Sequence, residues 1–330
     1  MTRLALGIFV AFLVCSLSAG TQSPSPTPTE PQARRAVLVT GASTGIGRKT
    51  AELLAASGFF VYACARKEAD LQALNAIPNV QSIRMDVTKP DEIAAAVKTV
   101  RDAGRGLYGL INNAGVAAVG PLIEMRDEDL TYQLDVNVYG PFRVTKAFAP
   151  LLIESKGRIA TTGSISGVVS SGFGGAYCMS KHAIEAYTDA LAAELLQFGI
   201  QVSVIEPGNY RSEIWNGVRQ RLIDGGYGGE GSHYKDQFRQ ALDMPTDLTD
   251  QKEPDEVAQA FLHALSDDKP KRRYMVVPNR EQAEVTIKAV ILRAVQLNQD
   301  QPYSYDRDGM IKLLDEAMSE ASHGSQGMSE

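Results

Sequence analysis

At 330 residues the chain is long enough for one large α/β domain or two small ones. Hydrophobic residues at 44% and charged residues at 22% are ordinary for a globular protein. A net charge of −6 without any long basic block argues against a nucleic-acid footprint, and three scattered cysteines with four scattered histidines give neither a zinc spacing nor a disulfide framework.

The N-terminus reads as separate from the fold. Arg3 opens a short basic start, Leu4 to Leu17 is apolar, and Ser18-Ala19-Gly20 supplies small residues. Residues 1–20 resemble a secretory signal peptide, or else form an uncleaved N-terminal anchor. Val14 before Cys15 speaks against a lipoprotein signal. The chain is thus expected to be exported or membrane-anchored through this segment, with the side of the membrane open. Residues 21–34 alternate proline with serine and threonine, the composition of an extended linker without a core.

From Ala36 onward strands alternate with helices. Strands are expected at Ala36–Thr40, Phe59–Ala65, Val80–Met85, Leu107–Ile111, Arg158–Thr162, Gln201–Ile205 and Tyr274–Val277. Helical spacing fills Ile46–Ala56 and Glu68–Ala76, and Pro90 suits a first helical position. This rhythm predicts an α/β fold, a doubly wound parallel sheet of about seven strands with helices on both faces. Gly208 to about Lys252 breaks the rhythm; it is long and polar, and its glycine cluster from Asp224 to Gly231 follows no strand, opens no helix and reads as a mobile segment between short helices. Residues 282–330 read as a C-terminal helical extension, with helices at Gln282–Leu297 and Met310–Met318.

Thr40-Gly41-Ala42-Ser43-Thr44-Gly45-Ile46-Gly47 follows the first strand and opens the first helix. Glycines let backbone N–H groups approach a phosphate, and a helix N-terminus favours the anion, so this turn is read as a dinucleotide-binding loop. The second strand ends Cys64-Ala65-Arg66-Lys67. A carboxylate there would hold the ribose 2′-hydroxyl of NAD; alanine followed by Arg66 instead suits the 2′-phosphate of NADP(H). Arg48 either assists or is a solvated helix residue. Asp86, ending the third strand, either accepts from the adenine amino group or serves as a turn carboxylate.

Tyr177 and Lys181 lie four apart, on one face of a helix, and Ser164 precedes the tyrosine by thirteen. An ammonium beside a phenol favours the phenolate, so the sequence predicts a lowered Tyr177 pKa and proton exchange with an alcohol or ketone.

Together these residues resemble the short-chain dehydrogenase/reductase family over about Arg35 to Val277. The motifs stand in order: Thr40 to Gly47, Asp86-Val87, Asn112-Asn113-Ala114-Gly115, Asn137, Ser164, Tyr177-x-x-x-Lys181 and Pro207-Gly208. The resemblance implies a Rossmann-type NADP-binding catalytic domain at residues 35–281. It makes Tyr177 the general acid/base, with Lys181 lowering its pKa and bonding the nicotinamide ribose. Ser164 would polarise the carbonyl, and Asn137 would hold a water linking Lys181 to solvent. Asn113 and Ala114 would lie near the adenine ribose, Pro207-Gly208 against the nicotinamide, and Ser212 where the family usually places a threonine on the carboxamide. Gly163 stands where the family usually has a serine. The stretches around Tyr177 and Pro207 are similar to the branch containing retinol, 17β-hydroxysteroid and 3-hydroxybutyrate dehydrogenases. That implies NADP(H)-dependent interconversion of an apolar secondary alcohol and its ketone. Trp215, Tyr227, Tyr234 and Phe238 either line a bulky apolar pocket or pack the short helices of their own segment. The same analogy implies a homo-oligomer. The partner expected is a small-molecule alcohol or carbonyl, with membrane association through the N-terminal segment left open and no metal. A non-catalytic NADP(H)-binding sensor on the same fold is the alternative.

Overall fold

Each central strand divides its side chains between two apolar layers. The structure, a computed structural model, describes residues 34–243 and 250–323. The predicted leader or anchor, and all but the last residue of the linker, lie outside the described residues. In β1 (Ala36–Val39), Val37 and Val39 enter one core while Ala36 and Leu38 enter the other. β2 (Phe60–Ala65) divides in the same way, Val61 and Ala63 against Tyr62 and Cys64. Burial on both faces is what a covered parallel strand requires.

β3 (Val80–Arg84), β4 (Gly109–Asn112), β5 (Arg158–Thr162), β6 (Gln201–Pro207) and β7 (Arg273–Val276) complete the sheet among the described residues. All neighbours pair in parallel, in the order β3-β2-β1-β4-β5-β6-β7. The order reverses between β1 and β4, and ligands of such sheets bind in the crevice beyond the strand ends there.

In chain order the helices are α1 (Gly45–Ala56), α2 (Glu68–Asn75), α3 (Pro90–Asp102), α4 (Asp127–Leu134) and α5 (Gly140–Ser155). They continue with α6 (Gly175–Leu195), α7 (Ile214–Asp224), α8 (Lys235–Asp243), α9 (Asp255–Ser266), α10 (Arg280–Asn298) and α11 (Arg307–His323). Leu54 of α1, Leu74 of α2 and Phe261 of α9 fill one layer. Ile93 of α3, Phe148 of α5 and Leu195 of α6 fill the other. Pro90 does open α3, where its missing N–H costs no intrahelical bond.

The glycine cluster after Asp224 stands between two short helices, α7 and α8, which share a core of their own. Val218 and Leu222 of α7 pack on Phe238 of α8, with Phe173, Tyr227 and Tyr234 around them. The polar look of this stretch came from its solvent faces, while its few apolar residues are gathered inside. The C-terminal extension forms α10 and α11, and Asn279 caps α10 by accepting from the Gln282 N–H at 3.0 Å. Both helices leave large apolar residues exposed, among them Ile287, Leu292, Leu297, Leu314 and Met318. No helix among the described residues is long and apolar enough to cross a membrane.

Candidate active site

The glycine turn between β1 and α1 is clamped onto the chain leaving β4. Gly41 has φ +62°, and a Cβ there would stand 2.7 Å from the Ala114 Cα. A Cβ on Gly47 would meet the Gly41 carbonyl oxygen at 2.3 Å and Asn113 Nδ2 at 2.4 Å. Only glycine permits such closeness. Asn113 Nδ2 donates to the Thr40 and Gly41 carbonyls at 3.1 Å each, and Thr40 Oγ1 accepts from the Asn113 and Ala114 N–H groups at 2.9 Å each. Asn113, expected near a ribose, thus uses its side chain to hold the turn. No side chain caps α1 at Thr44, and its first turn carries no acidic residue. The positive end of α1 therefore faces the cleft uncapped, with Ser43, Thr44, Gly45 and Ile46 along the wall.

At the end of β2, Arg66 is largely exposed and lies 3.6 Å from Asp86 Oδ2. The other oxygen, Asp86 Oδ1, accepts from the Thr88 N–H at 2.9 Å and hydroxyl at 2.8 Å, which is a turn carboxylate's geometry. Burial works against this carboxylate's charge, but the Thr88 donors and Arg66 outweigh it and hold its pKa below the usual value. Arg48 turns away to Glu52 at 2.5 Å, which supports its reading as a helix-surface residue. Arg66, Asp86, Val87, Ala114 and Gly115 all line the same cleft as the glycine turn.

The structure brings Ser164, Tyr177 and Lys181 together at the far end of that cleft. Ser164 ends β5's connection as the cap of a 3₁₀ turn, accepting from the Ser166 N–H at 3.1 Å and donating to the Pro207 carbonyl at 3.5 Å. α6 then presents Tyr177 near Ser164, whose side chain acts to favour the phenolate. Lys181 Nζ lies 5.6 Å from the Tyr177 ring centre and donates to the Thr162 carbonyl at 2.8 Å. Burial pulls the Lys181 ammonium down to about 8, with Glu185 pushing it the other way. Tyr177 departs from expectation, for burial raises its pKa against the lowering effect of Ser164. The Lys181 ammonium is not among the groups acting on this phenol, so desolvation of the phenolate prevails. Tyr177 is held here as a neutral phenol.

Asn137 sits behind this group on a π-helical turn at Asp135–Tyr139, a local widening often found at functional sites. Its Oδ1 accepts from the Val116 N–H at 2.9 Å, while Nδ2 donates to the Val116 carbonyl at 3.0 Å and Ser180 Oγ at 3.1 Å. The side chain therefore braces the loop after β4 against α6. Gln133, which sequence reasoning missed, does the same one turn earlier, donating to the Val116 carbonyl at 3.0 Å and Ser180 Oγ at 3.2 Å. Its spacing of four before Asn137 was the available signal. Thr162 was missed as well: its hydroxyl donates to Asn113 Oδ1 at 3.2 Å.

The cleft encloses about 910 Å³ and continues past Tyr177 between Ile165, Val169, Ile214 and Trp215. Pro207, Gly208 and Ser212 form its floor near Lys181. Of the four aromatic candidates only Trp215 lines it; Tyr227, Tyr234 and Phe238 pack inside the α7–α8 core. That unit is pinned by Asp129, buried to 1% side-chain exposure, whose carboxylate accepts from Arg126 at 2.9 Å, Arg221 at 2.5 Å and the Tyr227 hydroxyl at 2.6 Å. No group of three or more His, Cys, Asp or Glu among the described residues has the arrangement of a metal site.

Comparison with known proteins agrees with this geometry. The family model of the short chain dehydrogenases matches residues 35–222, more than half of the chain. Retinol dehydrogenase 16 of Rattus norvegicus is 36% identical over 55% of this chain and 59% of its own length, so the chain spans well under two thirds of that relative. The uncharacterized oxidoreductase YbbO of Escherichia coli (strain K12) is 33% identical over 74% of this chain and 86% of its own. Among solved structures, a variant of the actinorhodin polyketide ketoreductase with NADPH superposes with a TM-score of 0.61 at 27% identity, covering 73% of this chain and 95% of that one. The chain belongs to the short chain dehydrogenase family.

Proposed function

We propose that the protein is an NADP(H)-dependent oxidoreductase that interconverts an apolar secondary alcohol and its ketone, with Tyr177 as general acid/base. The observation that carries this reading is that Ser164 and Tyr177 line the same cleft together with the buried Lys181. Two hydroxyl donors in one cleft suit an oxygen that gains negative charge.

The cofactor assignment rests on three features of the chain. The uncapped end of α1 and the bare glycine turn suit a pyrophosphate, and an added Cβ at Gly45 would meet nothing within 4 Å. Arg66, exposed at the end of a strand closing on Ala65, suits a 2′-phosphate. A related ketoreductase solved with NADPH supports the same choice. When bound, the nicotinamide supplies or accepts the hydride.

The chain's own residues handle the proton and the oxygen. Ser164 donates to the carbonyl oxygen and fixes its position. Tyr177, kept neutral by burial, gives its proton to that oxygen as negative charge develops there. The resulting phenolate lies beside the Lys181 ammonium, which stabilises it most at that moment. Oxidation of an alcohol runs the same steps backwards. Ile165, Val169, Ile214 and Trp215 exclude water and receive the apolar body of the substrate. Similarity to retinol dehydrogenase 16 supports an apolar substrate.

A panel of apolar ketones and secondary alcohols, followed by NADPH absorbance, tests the reading. Turnover that Tyr177→Phe abolishes while NADPH still binds is the expected result. A wild-type protein that binds NADPH and turns over nothing in the panel refutes it.

A further inference from the structure

Behind the reacting groups, α6, β6 and β7 meet around three carboxylates that the chemistry above does not use. Glu185 follows Lys181 by one helical turn on α6, and Glu206, 7% exposed, stands directly before Pro207 on β6. Glu185 Oε1 is buried with no hydrogen-bond partner. Its other oxygen accepts from Arg273 Nε at 3.0 Å. The same guanidinium donates to Asp189 Oδ2 at 2.6 Å and reaches within 3.8 Å of Glu206 Oε1, while Arg272 lies 3.9 Å from Asp189. The charged groups facing the pair are therefore Lys181 and Asp189 on α6 and Arg272 and Arg273 at β7.

The site makes room for this arrangement. A Cβ at Gly163 would stand 3.2 Å from Glu185 Oε1 and 2.7 Å from Val204 Cγ2, and one at Gly167 would stand 2.9 Å from the same carboxyl oxygen. The glycine standing where the family usually has a serine thus leaves room for Val204, its nearest neighbour, and for Glu185. A buried oxygen lacking a donor calls for explanation. Its acidic neighbour provides one, because two carboxyl groups in contact away from water do not both ionise.

We propose that Glu206 is protonated near neutral pH and shares that proton with Glu185, and that this pair is a positioning device beneath Lys181, Ser164 and Pro207-Gly208. Burial, then the charge of Glu185, act on Glu206 in the direction this needs, raising its pKa far above the ordinary carboxylate range. One negative charge remains on the pair. It favours the Lys181 ammonium against burial. Loss of the shared proton places a second negative charge under β6, pressing Glu206 away from Glu185 and with it the floor of the site. Only this last link to turnover rests on the function proposed above.

The test begins without turnover. Wild-type protein uniformly labelled with 13C-glutamate should show, at pH 7, an infrared band of a protonated carboxyl group that shifts with the label and vanishes in Glu206→Gln. Urea unfolding gives a second readout. A carboxyl whose folded pKa is raised binds its proton more tightly in the folded state, so wild-type stability falls as pH rises from the ordinary glutamate range through the raised value. Glu206→Gln should remove that part of the slope, whereas a packing role would shift the midpoint equally at every pH. Glu185→Gln should move the alkaline limb of kcat to lower pH, and Glu185→Asp should restore it in part. No labelled carboxyl band, or equal slopes in wild type and Glu206→Gln, overturns the proposal. Should Glu206→Gln not fold, the wild-type band and its pH titration decide alone. A band without any carbonyl turnover refutes the enzymatic reading and leaves the proton pair standing; turnover without a band does the reverse.

Discussion

Lys181 and Asn113 are joined through one residue: Thr162 accepts from the Lys181 ammonium on its carbonyl and donates its hydroxyl to the Asn113 side chain. The group proposed to tune proton transfer and the group that holds the glycine turn thus share a single support at the end of β5. Thr162→Val keeps the carbonyl and removes the hydroxyl. It should cost about 1 kcal/mol at the Asn113 latch, weakening NADPH about fivefold, with a smaller effect on kcat. A fluorescence titration with NADPH reads the first and single-turnover kinetics the second.

Tyr177→Phe removes the proton donor and leaves the ring. The expected loss in kcat is about 10²- to 10⁴-fold, with NADPH binding retained. Weakened cofactor binding alongside unchanged turnover would reassign the tyrosine to a structural part.

On the proposed mechanism the depressed Lys181 pKa is expected to set the alkaline limb. Ketone reduction at saturating NADPH and substrate should be full below pH 8 and fall as pH rises through about 8, where the ammonium is lost. For stability the sign is opposite. A lysine whose folded value lies below its usual 10.5 binds fewer protons when folded, so it costs stability at neutral pH and that cost fades as pH rises from about 8 to 10.5. Lys181→Met should therefore flatten this part of the stability profile and depress kcat at every pH, as urea midpoints and rate profiles will show.

Arg66 is the expected reader of the 2′-phosphate. Arg66→Ala should raise the Km for NADPH about tenfold or more, the worth of one or two charge-assisted hydrogen bonds, and leave NADH nearly unaffected. Equal losses for both cofactors would place Arg66 outside the recognition of the phosphate.

Asp129 ties the α7–α8 unit to the rest. Burial opposes its charge, yet Arg126, Tyr227 and Arg221 together hold its pKa down to about 2. Its stabilising effect is therefore present above the usual 3.8 and lost as pH falls through it toward 2. Asp129→Asn should destabilise the protein by about 2 kcal/mol, because two guanidinium groups lose their counter-ion. It should also raise substrate KM more than it lowers kcat and speed limited proteolysis between residues 213 and 243.

The sheet and the order of the motifs were legible because strand periodicity and the glycine turn are local signals. Strand register was not, yet register is what brings Thr162 beside Asn113, residues forty-nine apart in the chain. Short helices around the glycine cluster were expected, but the core they share was not, because its apolar residues are few and meet others as distant as Ala117 and Phe173. The lowered Tyr177 pKa was expected from the spacing to Lys181 alone. Helical spacing gives proximity, but it does not report the Thr162 carbonyl that engages the ammonium or the burial that acts on the phenol. Gly163 looked like a loss in the sequence; its reason stands on other elements, at Val204 and Glu185.

Arg273 lies at the start of the last strand, long after the residues it neutralises on α6 and β6. A nascent chain that has produced Glu185, Asp189 and Glu206 has three acids converging with only Lys181 to set against them until the arginines at β7 emerge. Parallel pairing of distant strands is slow in any case. The underside of the site is therefore finished last during synthesis, and the chain gains its competent form only after nearly the whole catalytic domain has left the ribosome.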